Sequence, residues 1–120
     1  VTNSEIEEAV FQLGSNKAPG PDGFSALFYQ DSWKEVSKEV CDIVHHFFEG
    51  NRRLNEMNDT NIVLVPKIDK PEGVSHFRPI GLCNVSYKII ARLMTNRLRG
   101  LMDKIISPNQ RAFIAGRMIQ

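Results

Sequence analysis

Lys67 and Arg78 are the residues whose types and spacing best suit a chemical task. They fall within the run Lys-Ile-Asp-Lys-Pro-Glu-Gly-Val-Ser-His-Phe-Arg-Pro-Ile, Lys67 to Ile80. A β-type run, Thr60 to Pro66, precedes the lysine, and a shorter extended run, Ile80-Gly81-Leu82, follows the arginine. A strand thus delivers one cation to a turn-rich loop, and the loop ends at Phe77 to Ile80 with the other. An ammonium and a guanidinium at the two ends of one strand–loop–strand unit suit the grip of a polyphosphate, because charge-assisted bonds and the bidentate fork are the strong ones. A hydrated loop rim contains the same residue types, and the pair alone does not separate the two readings.

The elements that must position this unit follow from local signals. Thr2 and Ser4 each stand three residues before a glutamate, the capping-box spacing, and Ile6, Ala9, Val10 and Leu13 then recur with helical period up to Gly14. The block Pro19 to Gly23 is neither helix nor central strand, so it is a shaped loop. Ser25 caps a short helix, and a longer one runs from Trp33 to Glu49 with Val36, Val40, Ile43, Val44 and Phe47 on its apolar face and Gly50 at its end. Asn51 to Asn58 reads as a polar connector. Asn84 is expected to cap one continuous helix reaching Ile106, closed by Ser107-Pro108, with Ile89, Ile90, Leu93, Met94, Leu98, Leu101, Met102 and Ile105 on a wide apolar face. Lys88, Arg92 and Arg99 fall on a stripe opposite that face, either as a solvated surface or as a track for a nucleic-acid backbone. Arg97 projects into the apolar side, where a buried guanidinium requires a partner from another element.

The 120 residues are the size of one domain, and 42% hydrophobic with 24% charged residues is an ordinary soluble composition. There is no apolar run of membrane-spanning length and no signal-peptide pattern. The net charge of +1 says nothing about nucleic acid. Charge shifts along the chain instead: the first half is acidic, and basic residues dominate from Lys67 onward. Cys41 and Cys83 read as reduced thiols of an intracellular protein. Cys41, His45 and His46 lack the second ligand pair that a zinc site needs. The chain starts at Val1 without a methionine, and both ends are expected to be cuts through a longer polypeptide.

Three blocks, Asn16 to Phe24 (Asn-Lys-Ala-Pro-Gly-Pro-Asp-Gly-Phe), Phe77 to Ile80 (Phe-Arg-Pro-Ile) and Ile106 to Arg117, occur in this order. In order and spacing they resemble the amino-terminal part of reverse transcriptases of non-LTR, LINE-type retrotransposons, over essentially the whole chain. The resemblance implies an RNA-directed DNA polymerase in the complete protein, with an RNA template, a DNA primer and a deoxynucleotide as partners and Mg²⁺ as cofactor. It implies that Lys67 and Arg78 contact the nucleotide triphosphate from a fingers hairpin. It also implies that Lys17 to Gly23 lies along the template, where Lys17 and exposed N–H groups at Gly20 and Gly23 would meet phosphates; the plain alternative is a rigid turn. Gln110, Phe113 and Arg117 match the block before the palm. Phe113 would stack on a base or, the commoner fate of an aromatic, lie in the core.

The fold class expected is α+β, mostly helical with a small antiparallel β unit, the fingers region with an incomplete palm. Residues 1–58 would be a helical pre-fingers region with the template-side loop, and 59–120 the start of the fingers and palm. No aspartate here matches the family's metal-binding carboxylates, so no catalytic or metal-binding residue is assigned, the segment is expected to bind no cofactor, and alone it is expected to be inert. The missing palm and thumb would be its intramolecular partners, with no membrane involved, and marginal stability or self-association is expected in isolation. The resemblance implies an intracellular protein, translated in the cytoplasm and acting in the nucleus. Two other readings fit the same blocks: an intron-encoded reverse transcriptase, and a non-catalytic nucleic-acid-binding remnant of such an element.

Overall fold

Thr2 opens the first helix, α1 (Asn3–Gln12), with the expected box. Its Oγ1 accepts the Glu5 N–H at 3.2 Å, and the Glu5 carboxylate accepts the Thr2 N–H at 2.7 Å. Two of the N–H groups that a helix start leaves open are thereby satisfied. Ser25 caps α2 (Ala26–Asp31) by accepting the Phe28 N–H at 3.2 Å. The next helix, α3 (Trp33–Phe48), ends one residue before the expected Glu49, and Gly50 then donates to the Phe47 carbonyl. These observations come from a computed structural model that describes residues 1–51, 55, 57–114 and 116–117. The connector expected over Asn51 to Asn58 lies partly outside the described residues. It is not wholly polar, because Met57 is buried in the core.

Strand β1 (Thr60–Pro66) pairs antiparallel with β2 (Phe77–Cys83), from Thr60 opposite Cys83 to Pro66 opposite Phe77. The second strand begins three residues earlier than Ile80, so Arg78 lies in the ladder and not in the loop. Pairing with β1 draws Phe77 to Pro79 into the sheet, and an edge strand tolerates the missing N–H of Pro79. A 3₁₀ turn, Val74–His76, closes the tip.

The helix after the hairpin corrects two expectations. Helix α4 (Val85–Arg99) stops at Gly100, and a separate turn, α5 (Met102–Ile105), follows. Glycine weakens a helix interior by about 1 kcal/mol relative to alanine, and the apolar residues beyond it gain little burial to offset that. Leu98, Leu101 and Ile105 are exposed, and the buried face of α4 is Val85, Ile89, Ile90 and Leu93. Asn84 stands at the N-cap position, yet its side chain caps nothing within the helix.

The core joins Ile6, Ala9 and Val10 of α1, Ala26 of α2, Val40, Cys41 and Val44 of α3, and the buried face of α4. Helices from both sides of residue 58 thus share one core. Full burial of such a side chain is worth roughly 1.5–3 kcal/mol, whereas no residue of β1 is buried. The helices hold the fold, and the hairpin extends from it with Ile62 and Leu64 exposed. The described residues make a mixed α+β structure with one small antiparallel sheet, as expected.

Candidate nucleic-acid and phosphate site

The loop Lys17 to Gly23 is fastened to the start of α4. Pro21 and Asp22 form the corner of a turn in which the Gly23 N–H donates to the Gly20 carbonyl at 3.0 Å. Asp22 Oδ1 accepts the Phe24 N–H at 3.0 Å, and the Asp22 N–H reaches across the chain to Asn84 Oδ1 at 3.1 Å. Gly20 is buried against this joint. A Cβ there would collide with the Asn84 nitrogen and the Cys83 carbonyl carbon, and would come within 2.6 Å of Asn84 Oδ1. The expectation of exposed N–H donors at Gly20 and Gly23 is therefore corrected. Gly20 is covered and the Gly23 donor is engaged within the turn, because the loop closes on itself and on Asn84. Asn84 serves as the acceptor of this latch and not as a helix cap.

Latching sets Lys17 and Ala18 beside α4. Lys88 donates to the Ala18 carbonyl at 3.1 Å. Between the loop, the end of α1 and α4 lies a groove of about 650 Å³, lined in part by Lys17, Tyr87, Lys88, Arg92 and Thr95. Among the described residues, three cations and no acidic residue line it. Three of the predicted nucleic-acid contacts thus converge from distant parts of the sequence. Lys88 and Arg92 are half-buried, not on a fully solvated stripe. Arg99 lies further along α4, in a second hollow of about 530 Å³ with Phe113 and Ile114.

The hairpin carries the other cations. Lys67 N–H donates to the His76 carbonyl at 2.8 Å, which extends the strand register by one pair beyond Pro66 and Phe77. Val65 opposes Arg78. Paired residues share a face and alternate along a strand, so Lys67, His76 and Arg78 belong to one face of the ribbon. Lys67 and Arg78 are diagonal neighbours, a relation that spans about 7–8 Å. The Lys67 ammonium donates to the Ser75 carbonyl at 3.1 Å, which leaves two of its three donors free of that bond. Neither cation forms an ion pair among the described residues. Arg78 is five residues from Cys83 at the groove wall, about 17 Å along an extended strand. The structure does not bring the hairpin pair and the groove cations together.

The last block departs from expectation. Arg117 is largely covered, and its guanidinium donates to the carbonyls of Ser107 (2.7 Å), Gln110 (2.8 Å) and Ile106 (3.4 Å) and to Asp103 (3.3 Å). It staples its own segment and is not a free contact. Gln110 is exposed, with one long bond of 3.4 Å to the Ala112 carbonyl. Phe113 is fully exposed, so the core reading of it is overturned; the neighbouring Ile114 takes the covered position.

Arg97 finds its partner 92 residues away. Its Nε and Nη2 each donate to the Glu5 carboxylate at 3.1 Å, joining α4 to α1. The pair is not buried: the arginine side chain is 53% exposed and the glutamate 35%. The Arg97 bonds, followed by the Thr2 N–H, hold the Glu5 carboxyl down at about 2, against its usual 4.5. Gln30 is a contact that sequence reasoning missed. Its amide donates to the Val10 and Leu13 carbonyls at 3.0 and 2.9 Å, closing the end of α1 from another helix. A lone glutamine carries no signal of that role. Tyr87, on the groove wall, was missed for the same reason.

Both cysteines are free, and burial raises the Cys41 thiol above its ordinary range. His45 lies 2.7 Å from Asn3 Oδ1 and links α3 to α1. Among the described residues no three His, Cys, Asp or Glu gather as metal ligands, and no helix is long and apolar enough to cross a membrane.

Over 99% of its length the chain is similar, at 26% identity, to an uncharacterized 149 kDa protein of transposon TX1 from Xenopus laevis. Over 95% it is 29% identical to a retrovirus-related Pol polyprotein from the type-1 retrotransposable element R2 of Nasonia vitripennis. Both are proteins of transposable elements, and they bear out the resemblance to a LINE-type retrotransposon protein. The chain spans only 9% and 10% of their lengths. No family model matches it.

Proposed function

We propose that this chain is the fingers segment of a retrotransposon reverse transcriptase, holding the template strand and the triphosphate of the incoming deoxynucleotide. The convergence of Lys17, Lys88 and Arg92 on one groove without acids carries the reading, since such a groove attracts a phosphate backbone. Residues 1–58 contribute the template-side loop, and 59–120 the hairpin and the approach to the palm. Lys67 and Arg78, on one hairpin face without acidic partners among the described residues, neutralise the triphosphate and orient its α-phosphorus toward the primer 3′-hydroxyl. Arg99, Gln110 and Phe113 are further candidate contacts. When bound in the complete enzyme, magnesium supplies charge stabilisation to the attacking and leaving oxygens. Among the described residues the carboxylates do not gather as ligands for that ion, so the task proposed for this segment is positioning.

The test separates the two grips. Lys17→Glu is expected to lower RNA affinity and make its salt dependence shallower, by about 0.7 in the log–log slope for each phosphate no longer neutralised. Arg78→Ala in the full-length polymerase is expected to raise the nucleotide KM about tenfold and leave the RNA salt slope unchanged. An unaltered slope for the first variant and an unaltered KM and turnover for the second would refute the assignment.

A further inference from the structure

We propose that His76 is the positioning residue of the hairpin tip, its unprotonated Nδ1 being the acceptor that fixes where Lys67 and Arg78 present their charge. Nothing in the residue types around it singles out His76. In the structure four hydrogen bonds meet on this half-buried residue. Its N–H donates to the Gly73 carbonyl at 2.9 Å, and its carbonyl accepts the Lys67 N–H at 2.8 Å. Its ring Nδ1 accepts the backbone N–H groups of Glu72 at 3.0 Å and Gly73 at 3.2 Å. Two donors aimed at one ring nitrogen make Nδ1 the acceptor, which leaves the ring's hydrogen on Nε2.

The arrangement bears directly on the phosphate grip. The ring holds Glu72 and Gly73, and these hold the Val74–His76 turn. That turn presents the Ser75 carbonyl on which the Lys67 ammonium is seated. Arg78 stands two residues beyond His76, opposite Val65 in the ladder. Without the Nδ1 acceptor, two backbone donors lose their partner, the turn loosens, and the ammonium loses its seat. Asparagine offers a test, because its Oδ1 stands as far from the backbone as Nδ1 does and accepts without being able to carry a proton.

This proposal rests on the reading of Lys67 and Arg78 as a phosphate grip, and the experiment keeps the two apart. Inorganic tripolyphosphate binding to the chain is measured calorimetrically, alongside amide hydrogen exchange at Glu72 and Gly73 and the ¹⁵N spectrum of the imidazole. His76→Ala is expected to weaken tripolyphosphate binding about fivefold, the effect of one hydrogen bond's net worth, and to remove protection at both amides. His76→Asn is expected to restore both, to within about twofold in affinity. Wild-type affinity in the alanine variant, an asparagine variant as weak as alanine, or a ring protonated at Nδ1 would each overturn the proposal. A Lys67→Ala, Arg78→Ala double variant that binds tripolyphosphate like wild type would remove the grip itself, and the positioning role with it.

Discussion

Gly20→Ala tests whether the Lys17–Gly23 loop is latched to α4 as described. The added methyl would meet the Asn84 nitrogen, the Cys83 carbonyl carbon and, at 2.6 Å, Asn84 Oδ1. The first two are backbone atoms at a strand–helix joint and have no rotamer by which to move aside. Overpacking of this kind costs about 1–3 kcal/mol. Pushing the loop outward also stretches the Asp22 N–H bond to Asn84, worth about 1 kcal/mol. The smaller entropy of an unfolded chain with alanine returns about 0.4–1 kcal/mol. The net loss is about 1–3.5 kcal/mol, or a fall in Tm of roughly 4–14 °C for a domain of this size. Urea and thermal unfolding followed by circular dichroism read it directly. RNA binding should weaken as well, because the same displacement moves Lys17 and Ala18 on the groove wall. Gly23→Ala is the control. Its methyl meets nothing within 4 Å, and only its left-handed φ of +78° opposes the change, at a cost of roughly 1 kcal/mol. If Gly20→Ala lay within about 0.5 kcal/mol of wild type, the spread of an ordinary surface substitution, the close approach of loop and helix would be refuted.

The acid response should trace to Glu5. Its folded carboxyl titrates at about 2 against the usual 4.5, so its contribution is complete above pH 4.5 and is lost as pH falls from there through about 2. The urea midpoint of wild type should drop over that window more than that of Arg97→Met, and the Glu5 carboxyl of the variant should titrate nearer 4.5; parallel curves would contradict the pairing. Hydrogen exchange should divide the molecule. Amides of the β1–β2 ladder, which rests on no core, should exchange about a hundredfold or more faster than those of α1 and the buried turns of α4; equal protection would mean the hairpin is stabilised by contacts other than those described.

Where sequence signals were local, they were legible. The box at Thr2 and Glu5, the Ser25 cap, the span of α3 and the whole of β1 appeared as expected, because each is decided by residues within a turn or two. Expectations failed where a distant segment decides. Phe77 to Pro79 became strand because β1 lies beside them. The helix after Asn84 broke at Gly100 because, among the described residues, little covers Leu101 and Ile105 beyond it. Phe113 turned outward because Ile114 took the covered position.

The candidate site divides in the same way. Lys67 and Arg78 could be picked out by type and spacing, since both lie in one hairpin, and the motif blocks pointed to a retrotransposon protein that the two relatives bear out. The partners of Arg97 and Lys88, the acceptor role of Asn84 and the burial of Gly20 could not be read, because each depends on which backbone or side chain arrives from elsewhere; the hub at His76 is local, but its bonds depend on a turn geometry that the residue types do not specify. By itself the sequence determined the local elements, which follow from short-range hydrogen bonds and apolar periodicity. Only the tertiary structure decided which cations share a groove and which loop donors are engaged, since packing sets those distances among residues as far apart as Lys17 and Arg92.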